Sequence, residues 1–327
     1  MTLKKLVPVV LFLLVACNGW CQSMKGVTGI KDTSYTTYSA YQNDVKNYPQ
    51  IEMVKEIKNV GIKEKRDVVY RETGDRKLLL DVFQPAVSKS KNGMAVIIIH
   101  GGGWRSGDRS QHYPMAQKLA GLGYVCFTPE YRLSTEALFP AAVYDLKETI
   151  RWVRSRAREF GFDSDKIAVA GFSAGGELAA FLGVTQNMPL FEGRANSTKV
   201  NASVNAIIDM DGTLSFVHPE SGEGDDSNGT SAATYWFGYA KKENPMLWEA
   251  ASPLGYASSD TPPTLFINSS VERMHAGRND FRKVLFLNDI YSEVVSFDDA
   301  PHSFVLYDPW FEPTVQAMDS FLKKVLK

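Results

Sequence analysis

Short apolar runs recur along the chain, and longer stretches with apolar residues at every third or fourth position separate them. Residues 95–99, 124–128 and 167–170 are almost continuously apolar, as expected for strands that are buried on both faces. Residues 141–160 have the helical spacing instead and end at a glycine. This alternation predicts strands and helices that follow one another in turn.

The same pattern continues through most of the chain. It predicts further strands at residues 67–70, 78–83, 206–210, 264–267 and 293–297, and further helices at residues 113–122, 175–183 and 312–325. Alternating strands and helices favour an α/β fold with a mostly parallel central sheet and helices on both faces. We assign residues 66–327 to this domain, and residues 22–65 to a polar N-terminal extension with some helix near residues 51–57.

One long connection, residues 213–252, interrupts the alternation. It is rich in glycine and acidic residues and then in aromatic residues, namely Tyr235, Trp236, Phe237, Tyr239 and Trp248. A connection of this length is usually functional or an inserted lid. We predict a lid-like insert whose aromatic side chains either stack on sugar rings or pack the insert onto the domain.

The N-terminus has the form of a secretory signal. Lys4 and Lys5 precede an apolar run at residues 6–16, and small residues follow it. The run is shorter than the roughly 20 apolar residues of a membrane-spanning helix. We therefore predict a signal peptide at residues 1–21, with either lipidation of Cys17 at a lipobox or cleavage before Gln22. The protein is then secreted, periplasmic or a cell-surface lipoprotein, with membrane contact only through the lipid on Cys17.

Net charge and cysteine content argue against several classes of function. Lys and Arg number 36 against 37 Asp and Glu, a net charge of −1, which argues against a nucleic-acid-binding surface. Only Cys126 lies beyond the signal region, inside a predicted strand, so we interpret it as a core residue. No cysteine or histidine spacing typical of zinc occurs, and we expect neither a metal nor a cofactor.

The strongest chemical motif is the run Gly171-Phe172-Ser173-Ala174-Gly175, which fits G-x-S-x-G. A predicted strand ends just before it, and a predicted helix begins just after it. A strand–turn–helix of this kind lifts a serine hydroxyl onto a sharp turn where a base can reach it. The sequence therefore predicts that Ser173 is a nucleophile.

A second motif, His100-Gly101-Gly102-Gly103-Trp104, directly follows the strand at residues 95–99. Consecutive glycines leave backbone N–H groups accessible, so they can donate to the negatively charged oxygen that forms when a serine attacks an ester carbonyl. We predict an oxyanion hole formed by the N–H groups of Gly102, Gly103 and Ala174. No Gly-Lys-Ser/Thr follows, which argues against a phosphate-binding loop.

These motifs together resemble a known group of enzymes. The runs HGGG from His100, YRL from Tyr131 and FPAA from Phe139, with Asp145 and the serine motif, resemble the hormone-sensitive-lipase-like and acetyl/feruloyl-esterase branches of the α/β hydrolases. The resemblance covers about residues 67–327. The C-terminal part, which includes residues 268–278 and 301–304, is similar to bacterial esterases of pectin-degrading systems.

The base and the acid of the triad follow from chain order and from this resemblance. A histidine after the last strand is expected to be the base, which indicates His302 rather than His275. The resemblance implies an acid a few residues after the penultimate strand, and Glu272 stands there. Asp is more usual at that position, so Asp211, which follows the preceding strand, and Asp280 remain alternatives.

The expected activity is hydrolysis of a carboxylic ester through Ser173, without a cofactor. The resemblance implies an acetyl or methyl ester on a plant cell-wall polysaccharide such as pectin, or a small ester, as substrate. Arg105, Arg278 and Arg273 adjoin loops at the expected catalytic edge, where they either bind a uronate carboxylate or form ordinary surface ion pairs. A serine peptidase, a feruloyl esterase and a non-catalytic carbohydrate-binding homologue are the alternatives.

Overall fold

A computed structural model of the chain describes residues 24–57, 61–88, 91–193 and 200–327. Within these residues eight strands form one sheet in the order β2-β3-β5-β4-β6-β7-β8-β9, and β1 pairs separately with β10. The strands are β1 (Glu52–Met53), β2 (Ile62–Thr73), β3 (Arg76–Pro85), β4 (Ala95–Ile99), β5 (Val125–Pro129), β6 (Ile167–Phe172), β7 (Ala206–Met210), β8 (Thr264–Asn268), β9 (Ser292–Ser296) and β10 (Tyr307–Asp308).

Helices cover both faces of the sheet. They are α1 (Thr37–Asp44), α2 (Tyr113–Gly121), α3 (Ala141–Ser155), α4 (Ala157–Phe160), α5 (Ala174–Val184), α6 (Ala232–Phe237), α7 (Pro245–Ala250), α8 (Arg278–Leu287) and α9 (Phe311–Val325). Pairing is antiparallel between β2, β3 and β5 and parallel from β5 onward to β9. The predicted mostly parallel α/β fold is therefore confirmed. No helix in the described part of the chain is long and apolar enough to cross a membrane.

Alternate residues of the central strands supply two separate cores. On β4, Ile97 and Ile99 join the cluster under α3 and α5, whereas Val96 and Ile98 join the cluster under α2 and α9. Successive side chains of a strand point to opposite faces, so a strand between two helical layers must be apolar at every position. This is why residues 95–99 form a continuous apolar run. Cys126 lies in β5, fully buried, as the sequence predicts.

The N-terminal extension pairs with the C-terminal part of the domain, which the sequence did not predict. The expected helix near residues 51–57 is wrong, because residues 52–53 form β1 and pair with β10. The helix lies earlier, at α1, where Thr36 and Ser39 cap it with reciprocal hydrogen bonds of 2.8 and 3.0 Å. Strand β2 already begins at Ile62, before residue 66.

The insert between β7 and β8 packs onto the body of the domain. Trp236, Phe237 and Trp248 are fully buried, and the ring of Trp236 stacks on Trp104 with centroids 4.8 Å apart and planes inclined by 7°. Stacked aromatic pairs contribute about 0.5–1.5 kcal/mol beyond the area that they bury. Most of the insert's aromatic residues therefore serve as packing, and Tyr235 stays partly exposed.

Candidate active site

Ser173 occupies the sharp turn between β6 and α5. Its backbone has φ 56° and ψ −121°, a conformation that residues other than glycine rarely adopt. The glycines on either side are required for close approach, since a Cβ on Gly171 would lie 1.9 Å from the Gly175 oxygen and one on Gly175 would lie 2.2 Å from the Ile99 oxygen. The Ser173 N–H donates to the Met210 oxygen at 2.8 Å, which ties the turn to β7.

His302 contacts both the serine and a carboxylate. Its Nε2 lies 2.9 Å from Ser173 Oγ, and its Nδ1 lies 2.9 Å from Asp211 Oδ2. A charged carboxylate can only accept, so Nδ1 carries the proton and Nε2 is left to accept from the serine hydroxyl. The two residues predicted as nucleophile and base thus come together, although 129 positions separate them in the chain.

The acid in this arrangement is Asp211, and the prediction of Glu272 is wrong. Glu272 lies on an exposed turn at Glu272–His275, and its carboxylate contacts neither His302 nor Ser173 in the described structure. Asp280, the third candidate, lies 3.4 Å from His218. The sequence signal for Asp211 was its position directly after β7, one strand earlier than the resemblance implied.

Asp211 is fully buried and adopts a left-handed backbone with φ 55°. Its Oδ1 accepts from the Ser269 N–H at 2.8 Å, and its Oδ2 accepts from Ser269 Oγ at 2.5 Å. Burial alone would raise the pKa of Asp211, but the contacts with His275, His302 and Ser269 outweigh it and hold that pKa well below its ordinary value. The carboxylate is therefore charged throughout the neutral range and stabilises a positive charge on His302.

The three residues predicted for the oxyanion hole have N–H groups without a partner in the described structure. Gly102 and Gly103 have φ values of 122° and 60°, and a Cβ on Gly102 would lie 2.0 Å from the Ser106 oxygen. Among the described residues, none accepts a hydrogen bond from the N–H of Gly102, Gly103 or Ala174. Ala174 is also the first residue of α5, where N–H groups lack partners within the helix. The three donors are therefore free, and a Cβ on the neighbouring Gly101 would lie 3.2 Å from Ser173 Cβ, so the glycine loop adjoins the serine.

Buried side chains behind the oxyanion loop fix its shape. The Gly101 N–H donates to Gln111 Oε1 at 2.8 Å, and the Tyr131 hydroxyl donates to the His100 oxygen at 3.0 Å. Burial lowers the pKa of His100 to about 4, so its imidazole is neutral at pH 7. Trp104 donates from Nε1 to the buried carboxyl of Glu177 at 2.9 Å. Sequence reasoning missed Gln111 and Glu177, because no local motif marks residues that act through tertiary contacts.

The arginines predicted to bind substrate lie in different surroundings. Arg105 lies over the ring of Tyr235, 4.1 Å from its centroid. Arg278 donates to Asn268 Oδ1 at 2.7 Å and lines a cavity of about 760 Å³. Arg273 lines the same cavity and lies 3.5 Å from Glu223, whereas Arg105 is not part of its described lining.

The remaining lining of this cavity is polar, and it lies at the ends of β8 and β9. It consists of Glu220, Ser269, Ser270, Glu272, His275, Asn279, Ser296 and Asp298. Ser173 and His302 are not part of this described lining, but Ser269 and His275, which lie against Asp211, are. Within the described residues, no group of three His, Cys, Asp or Glu side chains is arranged to hold a metal ion.

Comparisons with known proteins identify the family of the chain. The BD-FAE family model matches residues 80–274. Two esterases of Mycobacterium tuberculosis are similar in sequence: LipQ is 26% identical over 245 residues, covering 72% of this chain and 55% of LipQ, and LipC is 27% identical over 274 residues, covering 80% and 65%. The chain thus spans between half and two thirds of the length of these curated relatives.

Two solved structures show the same fold. A truncated carbohydrate esterase from gut microbiota has a TM-score of 0.70 and 23% identity, over 84% of this chain and 100% of that one. The apo form of Thermogutta terrifontis esterase 2 has a TM-score of 0.65 and 26% identity, over 85% and 97%. The match to the family model and the shared fold assign the chain to the same group of proteins. The chain belongs to the BD-FAE family and has the α/β-hydrolase fold found in esterases.

Proposed function

We propose that this protein is a serine carboxylic-ester hydrolase. The observation that carries the proposal is the position of His302, with one ring nitrogen 2.9 Å from Ser173 Oγ and the other 2.9 Å from Asp211 Oδ2. A serine, a histidine and an aspartate in this geometry are the parts of an acyl-transfer triad. The names of the relatives, esterases in both comparisons, support the same class of reaction.

In the first half of the reaction an acyl group moves to the enzyme. His302 Nε2 takes the proton of the Ser173 hydroxyl while Oγ attacks the ester carbonyl carbon, and the carbonyl oxygen becomes an oxyanion. The N–H groups of Gly102, Gly103 and Ala174 stabilise that oxyanion, each worth about 2.7–4 kcal/mol of barrier when removed. His302 then gives its proton to the alcohol oxygen as the C–O bond breaks.

In the second half water replaces the alcohol. His302 takes a proton from the water as its oxygen attacks the acyl-serine carbonyl, and the same three N–H groups stabilise the second oxyanion. Collapse of this intermediate releases the carboxylic acid, and the proton returns to Ser173 Oγ. Asp211 remains charged throughout and stabilises His302 each time the imidazole becomes positive.

The substrate that we propose is an acetyl or methyl ester on a plant cell-wall polysaccharide such as pectin. The polar cavity at the ends of β8 and β9 supports a hydrophilic substrate, and Arg278 and Arg273 on its wall suit a uronate carboxylate. The similarity in fold to a carbohydrate esterase from gut microbiota is consistent with this choice. A non-catalytic carbohydrate-binding homologue would have lost the acid of the triad. Asp211, 2.9 Å from His302, supplies such an acid here, which favours an enzyme.

A panel of substrates tests this proposal. Acetylated, methylated and feruloylated polysaccharides, a small aryl acetate and a peptide amide are assayed with the wild type and with Ser173→Ala. We expect hydrolysis of the aryl acetate and of acetylated or methylated pectin, lost in Ser173→Ala. Cleavage of the peptide alone would favour a peptidase, and equal rates for wild type and Ser173→Ala would remove the serine from the reaction.

We further propose that the protein acts outside the cytoplasm. The support is the sequence of residues 1–21, with Lys4 and Lys5 before an apolar run and Cys17 in a lipobox context. These residues lie outside the part of the chain that the structure describes. The mass of the mature N-terminus in the native host tests the proposal: lipid on Cys17 or a new N-terminus at Gln22 supports it, and an intact Met1 contradicts it.

A further inference from the structure

The acid of the triad has a second histidine beside it. His275 Nε2 lies 3.3 Å from Asp211 Oδ1, whereas His302 Nδ1 contacts the other oxygen, Oδ2, at 2.9 Å. The imidazole is largely buried, with only 15% of the side chain exposed. A triad requires one imidazole on its carboxylate, so this second one needs an explanation of its own.

The two oxygens of Asp211 have different neighbours. Oδ2, which faces His302, also accepts from the Ser269 hydroxyl. Oδ1 accepts from the Ser269 N–H at 2.8 Å and receives a weaker contact from Asn268 Nδ2 at 3.4 Å. Both of these partners lie at the end of β8. His275 reaches the same oxygen from the separate turn at Glu272–His275.

His275 Nε2 is buried and, in the described structure, has no aligned hydrogen bond. Buried polar atoms nearly always have a partner, because leaving one unpaired costs about 1–3 kcal/mol. Asp211 Oδ1, which lies 3.3 Å from Nε2, is the acceptor within reach of an N–H at that position. The charge of the carboxylate makes such a bond stronger than one to a neutral acceptor.

We propose that His275 is a positioning residue for the triad, which holds Asp211 Oδ1 so that Oδ2 faces His302. This rests on the proposed ester hydrolysis and adds a residue to its machinery. His275 does not touch the reacting atoms. It acts on the angle at which the carboxylate meets the His302 imidazole, and therefore on how readily His302 takes the proton of Ser173. Small displacements in a catalytic arrangement cost up to about 10²-fold in rate.

Two amide substitutions separate positioning from mere packing. In His275→Gln the terminal amide nitrogen falls near the position of Nε2 and can donate to Asp211. In His275→Asn the amide is one methylene shorter and cannot reach. Both variants keep a polar side chain of the same chemistry, and thermal unfolding shows whether both fold. His218→Gln is the control, since His218 lies beside Asp280 and away from the triad.

The readouts are kcat and KM on a small aryl acetate and the rate at which a fluorophosphonate modifies Ser173. We expect His275→Asn to lower kcat and the modification rate about ten-fold with KM unchanged, and His275→Gln and His218→Gln to stay within about three-fold of wild type. Wild-type rates in His275→Asn, or equal losses in both His275 variants, would overturn the positioning role. Wild-type protein that does not react at Ser173 would instead overturn the proposed function, so the two failures are distinguishable.

Discussion

Replacing Asp211 by asparagine changes one atom of the site and should stop catalysis. One carboxylate oxygen becomes an NH₂ group, which donates hydrogen bonds and cannot accept them. If the NH₂ group took the place of Oδ1, it would face the Ser269 N–H, which lies 2.8 Å from that position. Two donors would then oppose each other. The NH₂ group can face the Ser269 hydroxyl, which is able to accept, and this orientation places it against His302 Nδ1.

In that orientation His302 Nδ1 must accept, so the ring proton moves to Nε2. A protonated Nε2 cannot take the proton of the Ser173 hydroxyl, which lies 2.9 Å away. The same substitution in a serine protease triad lowers kcat by about 10⁴-fold. At about 1.36 kcal/mol for each factor of ten, the expected loss is about 5.4 kcal/mol of barrier.

The assay compares kcat for a small aryl acetate in wild type, Asp211→Asn, Glu272→Gln and Asp280→Asn, with circular dichroism to confirm folding. We expect kcat to fall about 10⁴-fold in Asp211→Asn and to change at most two-fold in Glu272→Gln and Asp280→Asn. The reason is that Glu272 is exposed and Asp280 lies beside His218. A loss below ten-fold in Asp211→Asn, together with a loss above 10³-fold in Glu272→Gln, would refute this reasoning and return the role of the acid to Glu272.

Three further substitutions test other parts of the account. Gln111→Leu removes the acceptor of the Gly101 N–H and should lower kcat about ten-fold with little change in KM, because it disturbs the oxyanion loop; an unchanged kcat would show that the loop holds its shape without it. Burial raises the pKa of Glu177 well above its ordinary value of 4.5. Between pH 4.5 and this raised pKa the folded protein keeps a proton that the unfolded chain loses, so the stability of the fold falls as pH rises. Glu177→Gln keeps a partner for Trp104 and should remove this part of the pH dependence, so urea unfolding at pH 5 and pH 8 should differ less than in wild type; identical pH dependence would contradict the assignment. Arg278→Ala should raise KM for an esterified uronate polymer and leave a small neutral ester nearly unchanged; equal effects on both would end the case for carboxylate recognition.

The fold and two residues of the triad could be predicted because their signals are local. Residues 95–99 are apolar at every position since β4 is covered on both faces. Ser173 stands in a motif whose glycines are needed within a few residues of it. His302 follows the last strand of the sheet, and chain order together with the family resemblance identifies it.

The acid could not be predicted in the same way. Two neighbouring strands, β7 and β8, end beside each other, and either end is able to supply a carboxylate to His302. In this chain β7 is followed by Asp211, which provides the carboxylate. Asn268, the last residue of β8, and Ser269, which follows it, donate to that carboxylate. Local sequence does not show which strand end supplies the carboxylate and which supplies its hydrogen-bond donors, because the contact between Asp211 and Ser269 is a tertiary one.

Mass spectrometry of the protein after reaction with a fluorophosphonate tests the central claim most directly, because it identifies the nucleophile by its adduct. We expect one phosphonyl group on Ser173, no adduct in Ser173→Ala, and reaction slowed by several orders of magnitude in His302→Ala, where the base is lost. Modification of a different serine at full rate, or ester hydrolysis that survives in Ser173→Ala, would contradict it.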